Sequence, residues 1–171
     1  MNVSSPGGIR DARATEGPEE MGALVRPMRP EDIATVTAIE TASFTTPWKE
    51  GTFRTLLDRS GAVLRVLETP LLPVAGYAVL WCILDQGELA NIAVAPELRS
   101  RGLGAYLLDR IMTEAKGRGV ESLYLEVRVS NFQARAMYGS RGFEEIGIRR
   151  DYYEKPREDA RILVKRLNPS P

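Results

Sequence analysis

The chain has 171 residues, enough for one domain with a sizeable core. Its 23 Lys+Arg balance its 23 Asp+Glu, so no net field favours nucleic acid or an anionic membrane. It contains no histidine and one cysteine, Cys82, which excludes Ser-His and Cys-His nucleophile pairs, histidine-based zinc sites and an internal disulfide.

The first residues, Met1 to Gly22, include SSPGG and ATEGPEE with few large apolar side chains, and read as a disordered tail without the apolar centre of a secretory signal. A single domain is expected over 23–168, with 169–171 frayed. LVRPM, from Leu24, reads as a first strand. Pro30 then opens a helix with Glu31 and Asp32 in its first turn and Ile33, Val36 and Ile39 at helical spacing. The loop FTTPW leads to a short helix carrying Phe53, Leu56 and Leu57. AVLRVLE and VAGYAVLWCIL read as a strand hairpin around the Pro-bounded TPLLP, and Asp85-Gln86-Gly87 turns the chain into ELANIAV. The longest hydrophobic run, Val74 to Leu84, is too short to span a bilayer. Cys82 lies within it and reads as a core residue.

The stretch ELRSRGLGAYLLDR, Glu97 to Arg110, passes from a glycine-containing turn into a helix with Leu103, Leu107, Ile111 and Ala115 on one stripe; Gly117 and Gly119 end it. SLYLEV alternates Leu123, Leu125 and Val127 against Ser122, Tyr124 and Glu126, so Glu126 shares a strand face with Tyr124. Asn131 caps a helix that Gly142 stops, and strands of roughly Glu144–Arg149 and Ala160–Leu167 close the chain. The pattern is α/β (α+β), with helices packed on a mixed sheet.

The glycine turn raises the question of a phosphate ligand. A nucleoside-triphosphate loop needs Gly-Lys-Ser/Thr, which is absent. The dinucleotide fingerprint fails at Leu107, where a third glycine or alanine belongs, and at the long segment between Val94 and Gly102. What remains is R-x-x-G-x-G, Arg99, Gly102 and Gly104, in which backbone N–H groups at a helix start converge on a pyrophosphate. Alone, an ordinary glycine turn explains it equally well.

Three segments in order, NIAVAPELRSRGLGAYLLDRIM, LYLEVRVSNFQARAMYGSRGFEEIG and RRDYYEKPREDARILV, resemble the Gcn5-related N-acetyltransferase (GNAT) superfamily. Within it, PW at Trp48, LEVR-x-SN, and RR-x-YY followed by EDA resemble the bacterial RimI type, the ribosomal-protein-alanine N-acetyltransferases. The resemblance covers about Val25 to Leu167. It implies the GNAT fold, a mostly antiparallel sheet of six to seven strands flanked by helices, and acetyl-CoA as co-substrate with no metal. It implies that the backbone of Ile92, Ala93 and Val94 pairs with the pantetheine arm. Arg99, Ser100, Arg101, Gly102, Leu103, Gly104 and Ala105 would hold the pyrophosphate, and Asn131 would reach the pantetheine. It further implies Glu126 as proton acceptor, Tyr138 as proton donor, and an oxyanion-binding N–H near Val94 exposed by a strand distortion.

Read from the residues alone, each of these has an ordinary counterpart. Glu126 is also a solvated residue on an amphipathic strand, Tyr138 a core aromatic, and Asn131 a helix cap. Phe44, Trp48, Tyr152 and Tyr153 are expected to shape the acceptor site, or else to pack. Arg149-Arg150 reads as a solvated edge rather than an RNA contact. The implied acceptor is the α-amine of a protein N-terminus, the alanine of a small-subunit ribosomal protein, in the cytoplasm; the alternatives are other N-termini, lysines or a small amine. No nucleic acid or membrane partner is expected, and a monomer is the default.

Overall fold

The computed structural model describes residues 17–167. Two helices lie on each face of a seven-stranded sheet ordered β1-β2-β3-β4-β5-β7-β6. In chain order the elements are β1 (Leu24–Pro27), α1 (Ile33–Ser43), α2 (Glu50–Leu57), β2 (Ala62–Glu68), β3 (Gly76–Ile83) and β4 (Gln86–Val94). They continue with α3 (Leu103–Gly117), β5 (Ser122–Arg128), α4 (Phe132–Ser140), β6 (Glu144–Glu154) and β7 (Arg157–Arg166). Every neighbouring pair is antiparallel except β4 and β5. This is the expected mixed, mostly antiparallel sheet.

The start of α1 is held by charge. Asp32 accepts the Arg29 N–H at 2.8 Å and both terminal nitrogens of Arg26, at 2.7 and 2.9 Å. The Arg26 guanidinium keeps the Asp32 carboxyl below the usual carboxylate range. On the α3 face, Leu103, Leu107, Leu108, Ile111 and Ala115 pack with Leu123, Leu125, Val127 and, from α4, Tyr138. On the α1/α2 face, Ile33, Val36, Ile39, Phe53 and Leu56 pack with Tyr77, Val79 and Ala93.

Three boundaries differ from the sequence reading. Residues 17–22, placed in the tail, form a turn: Met21 packs against the α3-side core and Glu19 pairs with Arg110 at 2.7 Å. The rest of that tail, and the C-terminal 168–171, lie outside the described residues. The β3–β4 turn is Leu84-Asp85, so β4 begins at Gln86. The last hairpin is longer than expected, pairing up to Glu154 and Arg157 around Lys155-Pro156. Most of β6 is exposed, so no apolar alternation marks its extent.

Candidate active site

β4 and β5 pair over three residues only, Gln86–Glu88 with Ser122–Tyr124, and then part. Among the described residues no strand pairs with that edge of β4 beyond Glu88. The result is a fork, with Asn91–Val94 along one arm and Leu125–Arg128 along the other.

The β4 arm carries a bulge. Val79 pairs with Asn91 but Leu80 pairs with Leu89, leaving Ala90 as the extra residue. The consequence is a change of phase. Leu89 packs into the α3-side core, yet Asn91, two residues on, faces α1, as Ala93 does, while Ile92 and Val94 return to the α3 side. The strand that ends at Val94 is therefore distorted, with the extra residue at Ala90.

At the end of β4, α3 begins with an uncapped N-terminus. Its N-cap is Gly102, at φ 77°, and no side chain caps it. Ser100 is also left-handed, at φ 62°. Only glycine adopts such a φ without steric cost, which accounts for Gly102. Gly104 has a different reason. A Cβ there would point between Val94 and Met137, with nearest atoms at 3.7 and 3.9 Å, so the protein itself leaves room for a methyl group. The space it would enter lies beside the β4 arm. First-turn N–H groups without a cap, beside an unpaired strand edge, suit a pyrophosphate with an extended amide-bearing arm. The residues present fit acetyl-CoA.

Of the residues expected to hold it, Leu103 is buried and can offer only its backbone. Arg99 is committed elsewhere: its Nε donates to the Val94 carbonyl at 3.0 Å and a terminal nitrogen to Ser43 Oγ at 2.8 Å. It ties the end of β4 to the end of α1. Ser100 and Arg101 are exposed in the turn. Asn131 is the α4 cap, its Oδ1 accepting the Ala134 N–H at 3.2 Å.

On the other arm, Glu126 lies just past the last β5 residue paired with β4. Leu125 and Val127 point into the α3/α4 core, so Glu126 points to the opposite face. Its carboxylate is 2.6 Å from Arg149 Nε, and its side chain is 19% exposed. The Tyr152 hydroxyl also hydrogen-bonds to it, which pushes the Tyr152 pKa up to about 12. Burial, with the charge of Glu126 added, pushes Tyr153 up to about 12 as well.

Tyr138 is buried in α4, edge-on to Phe143 at 5.4 Å. It belongs to the α3/α4 core, on the face of the sheet opposite Glu126. Burial raises its pKa above the ordinary tyrosine value, and the Tyr153 phenol adds to the effect. The hydroxyl therefore stays protonated at neutral pH.

The residues expected to shape the acceptor site divide. Tyr152 and Tyr153 stand beside Glu126, edge-on to each other at 5.0 Å. Trp48 packs on Phe53 at 5.6 Å, and Phe44 is exposed. Arg149, read as a solvated edge, is exposed on the edge strand β6 and also forms an ion pair with Glu126. Arg128 was missed altogether. It donates to the carbonyls of Pro156 and Lys155 at 3.0 and 3.1 Å, to Glu158 at 3.3 Å and to Thr45 Oγ at 3.2 Å, and lies 4.1 Å from the Tyr153 ring centroid. It thereby joins β5, the β6–β7 turn and the loop before α2. Its place on the Glu126 face, two residues on, is the signal that marks it.

A forked β4–β5 pair, a strand bulge and an uncapped helix start define an acetyltransferase, and residues 33–143 match the acetyltransferase (GNAT) family. The chain belongs to that family and is an N-acetyltransferase using acetyl-CoA. It is similar to the ribosomal protein bS18-alanine N-acetyltransferase of Escherichia coli (strain K12), at 39% identity over 135 residues, 78% of this chain and 90% of that one. The enzyme of the same name from Salmonella typhimurium (strain LT2) is 40% identical over 135 residues, again 78% and 90% of the two chains. The crystal structure of the Escherichia coli ribosomal-protein-S18-alanine N-acetyltransferase superposes with a TM-score of 0.79 at 34% identity, covering 87% of this chain and 96% of that one.

Proposed function

We propose that the protein acetylates the α-amine of a protein N-terminus, the alanine of ribosomal protein bS18, with Glu126 as base and Tyr138 as acid. The observation that supports the chemistry is the fork, with the Glu126 carboxylate on one face of the sheet and the buried, protonated Tyr138 phenol in the core on the other. The identity to enzymes named for bS18 alanine supports the acceptor. A ribosomal acceptor makes the enzyme cytoplasmic; among the described residues no helix is long and apolar enough to cross a membrane.

Acetyl-CoA supplies the acetyl group as a thioester. An α-amine has an ordinary pKa near 8 and arrives largely protonated at neutral pH. Glu126 receives its proton, which leaves the nitrogen lone pair ready to attack the carbonyl carbon. The C–N bond forms and the C–S bond breaks; Tyr138 gives its proton to the departing sulfur, and the second proton that leaves the nitrogen as the amide forms restores the phenol. Backbone N–H groups of the β4 arm stabilise the negative charge on the carbonyl oxygen. Asn131 and the turn from Ser100 to Ala105 hold the CoA portion, the latter through backbone groups.

The amine takes the place of Arg149 at the carboxylate. Arg149 is 57% exposed, and an ion pair that open is worth under about 1 kcal/mol, so displacement costs little. Tyr152 and Tyr153 flank the entering peptide. A free α-amine has a pKa roughly two to three units below that of a lysine side chain, so a single carboxylate suffices as base. The test is tandem mass spectrometry after incubation with acetyl-CoA and either an Ala-initiated bS18 peptide or its Nα-blocked, lysine-containing counterpart. Label on the first nitrogen is expected; preferential labelling of the blocked peptide overturns the acceptor.

A further inference from the structure

Glu40, in α1, is 1% exposed and has no ion-pair partner among the described residues. A buried carboxylate without a cation needs donors at its oxygens, and here each contact supplies one. Its Oε1 accepts the Trp48 backbone N–H at 2.9 Å and Asn91 Nδ2 at 3.1 Å. Its Oε2 accepts the same Asn91 nitrogen at 3.0 Å and the Tyr77 hydroxyl. Burial, then the charge of Glu40, raises the Tyr77 pKa, so that phenol remains a donor.

These donors come from three places: β3, the loop between α1 and α2, and β4 immediately after its bulge. Asn91 reaches Glu40 only because Ala90 is bulged out. A strand that closed the bulge would turn Asn91 and Ala93 to the α3 face, and Ile92 and Val94 to the α1 face. The Glu40–Asn91 contact and the phase of the β4 arm are therefore mutually dependent.

We propose that Glu40 is a positioning residue for acetyl transfer. Through Asn91 it holds the phase of the Ile92–Val94 edge that receives acetyl-CoA, and through the Trp48 N–H it ties the acceptor-side loop to that edge. This rests on the fork being the acetyl-CoA site. The carboxylate touches neither substrate. It sets where the backbone groups of the edge point, and a misplacement of about 1 Å at such a site costs up to about a hundredfold in rate.

The test uses Glu40→Gln, Asn91→Asp and the double variant, assayed with acetyl-CoA and an Ala-initiated peptide, with circular dichroism to confirm folding. Glu40→Gln presents an amide NH2 toward the NH2 of Asn91, and Asn91→Asp opposes two carboxylates. The double variant restores donor against acceptor with the charge moved across the contact from position 40 to position 91. For each single variant the KM for acetyl-CoA is expected to rise about tenfold with kcat falling by a similar factor, and the double variant to recover most of both.

A purely structural role would lower the active fraction, hence apparent kcat, and leave the KM for acetyl-CoA unchanged. That outcome, or a double variant no better than the worse single one, overturns the proposal. Should Glu40→Gln not fold, Asn91→Ala removes only the link to β4, and an unchanged KM for acetyl-CoA in that variant overturns it equally. Failure of the underlying reading is distinguishable: a folded Gly104→Val would then bind acetyl-CoA like the parent, whereas failure of the Glu40 proposal alone leaves Gly104→Val weakened.

Discussion

The two arms of the fork face one another but are made of different material. The β4 arm and the turn before α3 offer backbone: a strand edge unpaired among the described residues, an uncapped helix start, and Gly102 and Gly104. Of the two arginines there, Arg99 binds the Val94 carbonyl and Ser43, and Arg101 is exposed in the turn. The β5 arm and the β6–β7 hairpin offer side chains, with Glu126, Arg149, Tyr152, Arg128 and Glu158 interlocked within a few ångströms. The difference teaches how the work is divided. A backbone arm suits a large, invariant co-substrate held by many amide contacts, and a side-chain arm suits proton transfer and choice of acceptor.

The largest expected effect breaks only the side-chain arm. Glu126→Gln retains size and polarity but loses the base, so kcat should fall by about a hundredfold or more while acetyl-CoA affinity, measured by calorimetry, stays within about twofold. Tyr138→Phe should cost a comparable factor. Parent-like turnover by both variants on a verified acceptor would remove the assigned roles.

Next comes the reverse experiment. In Gly104→Ala the added methyl makes only ordinary contacts with Val94 and Met137, whereas Gly104→Val pushes further into the space beside the β4 arm. Gly104→Val should weaken acetyl-CoA binding by about tenfold or more, near 1.4 kcal/mol, without loss of fold. Unchanged affinity in a folded variant would place the co-substrate elsewhere.

A smaller effect sharpens the comparison. Arg149→Ala frees Glu126 from its exposed partner, so the peptide KM should fall by up to about fivefold, the equivalent of a surface ion pair. The KM for acetyl-CoA should not move. A rise in peptide KM would mean that Arg149 holds the acceptor instead of yielding to it.

The smallest effect on catalysis lies outside both arms. Asp32→Asn removes the charge that Arg26 clamps and should cost about 2 kcal/mol of unfolding free energy at pH 7 with kcat unchanged. The folded-state pKa of Asp32 is depressed, so its contribution is complete above the unfolded value near 4 and is lost as pH falls through the lower folded value. Urea midpoints of parent and variant should therefore differ by a constant amount above about pH 5 and converge in acid. A gap that persists at the acid end would assign the stabilisation to packing rather than to charge.

How much of this was legible depends on how far apart the interacting residues are. The α3 stripe, the turn before it, the β5 alternation and the Asn131 cap rest on contacts between near neighbours, and each stands where the pattern put it. Residues 17–22 did not, because their low apolar content hides one anchor, Met21, and one pair, Glu19–Arg110. Glu40 left a usable signal. It stands four residues after Val36 and seven after Ile33, on the apolar stripe of its helix, where a charge has to find partners. Arg149 left none, since an exposed basic pair on an edge strand looks the same whether or not a carboxylate lies across the sheet.

The order of elements and the glycine turn are legible in the sequence because short-range periodicity and spacing encode them, whereas the two candidate proton carriers followed from the family resemblance alone. The phase of β4, the pairing of Arg149 with Glu126, the contacts of Arg99 and the burial of Glu40 are visible only in the folded chain. The bulge at Ala90 exists only relative to β3, its partner in the sheet. Arg149 meets Glu126 because β7 lies between their strands and sets the register of both. Strand register is a property of pairs of segments, and nothing in one segment alone specifies it.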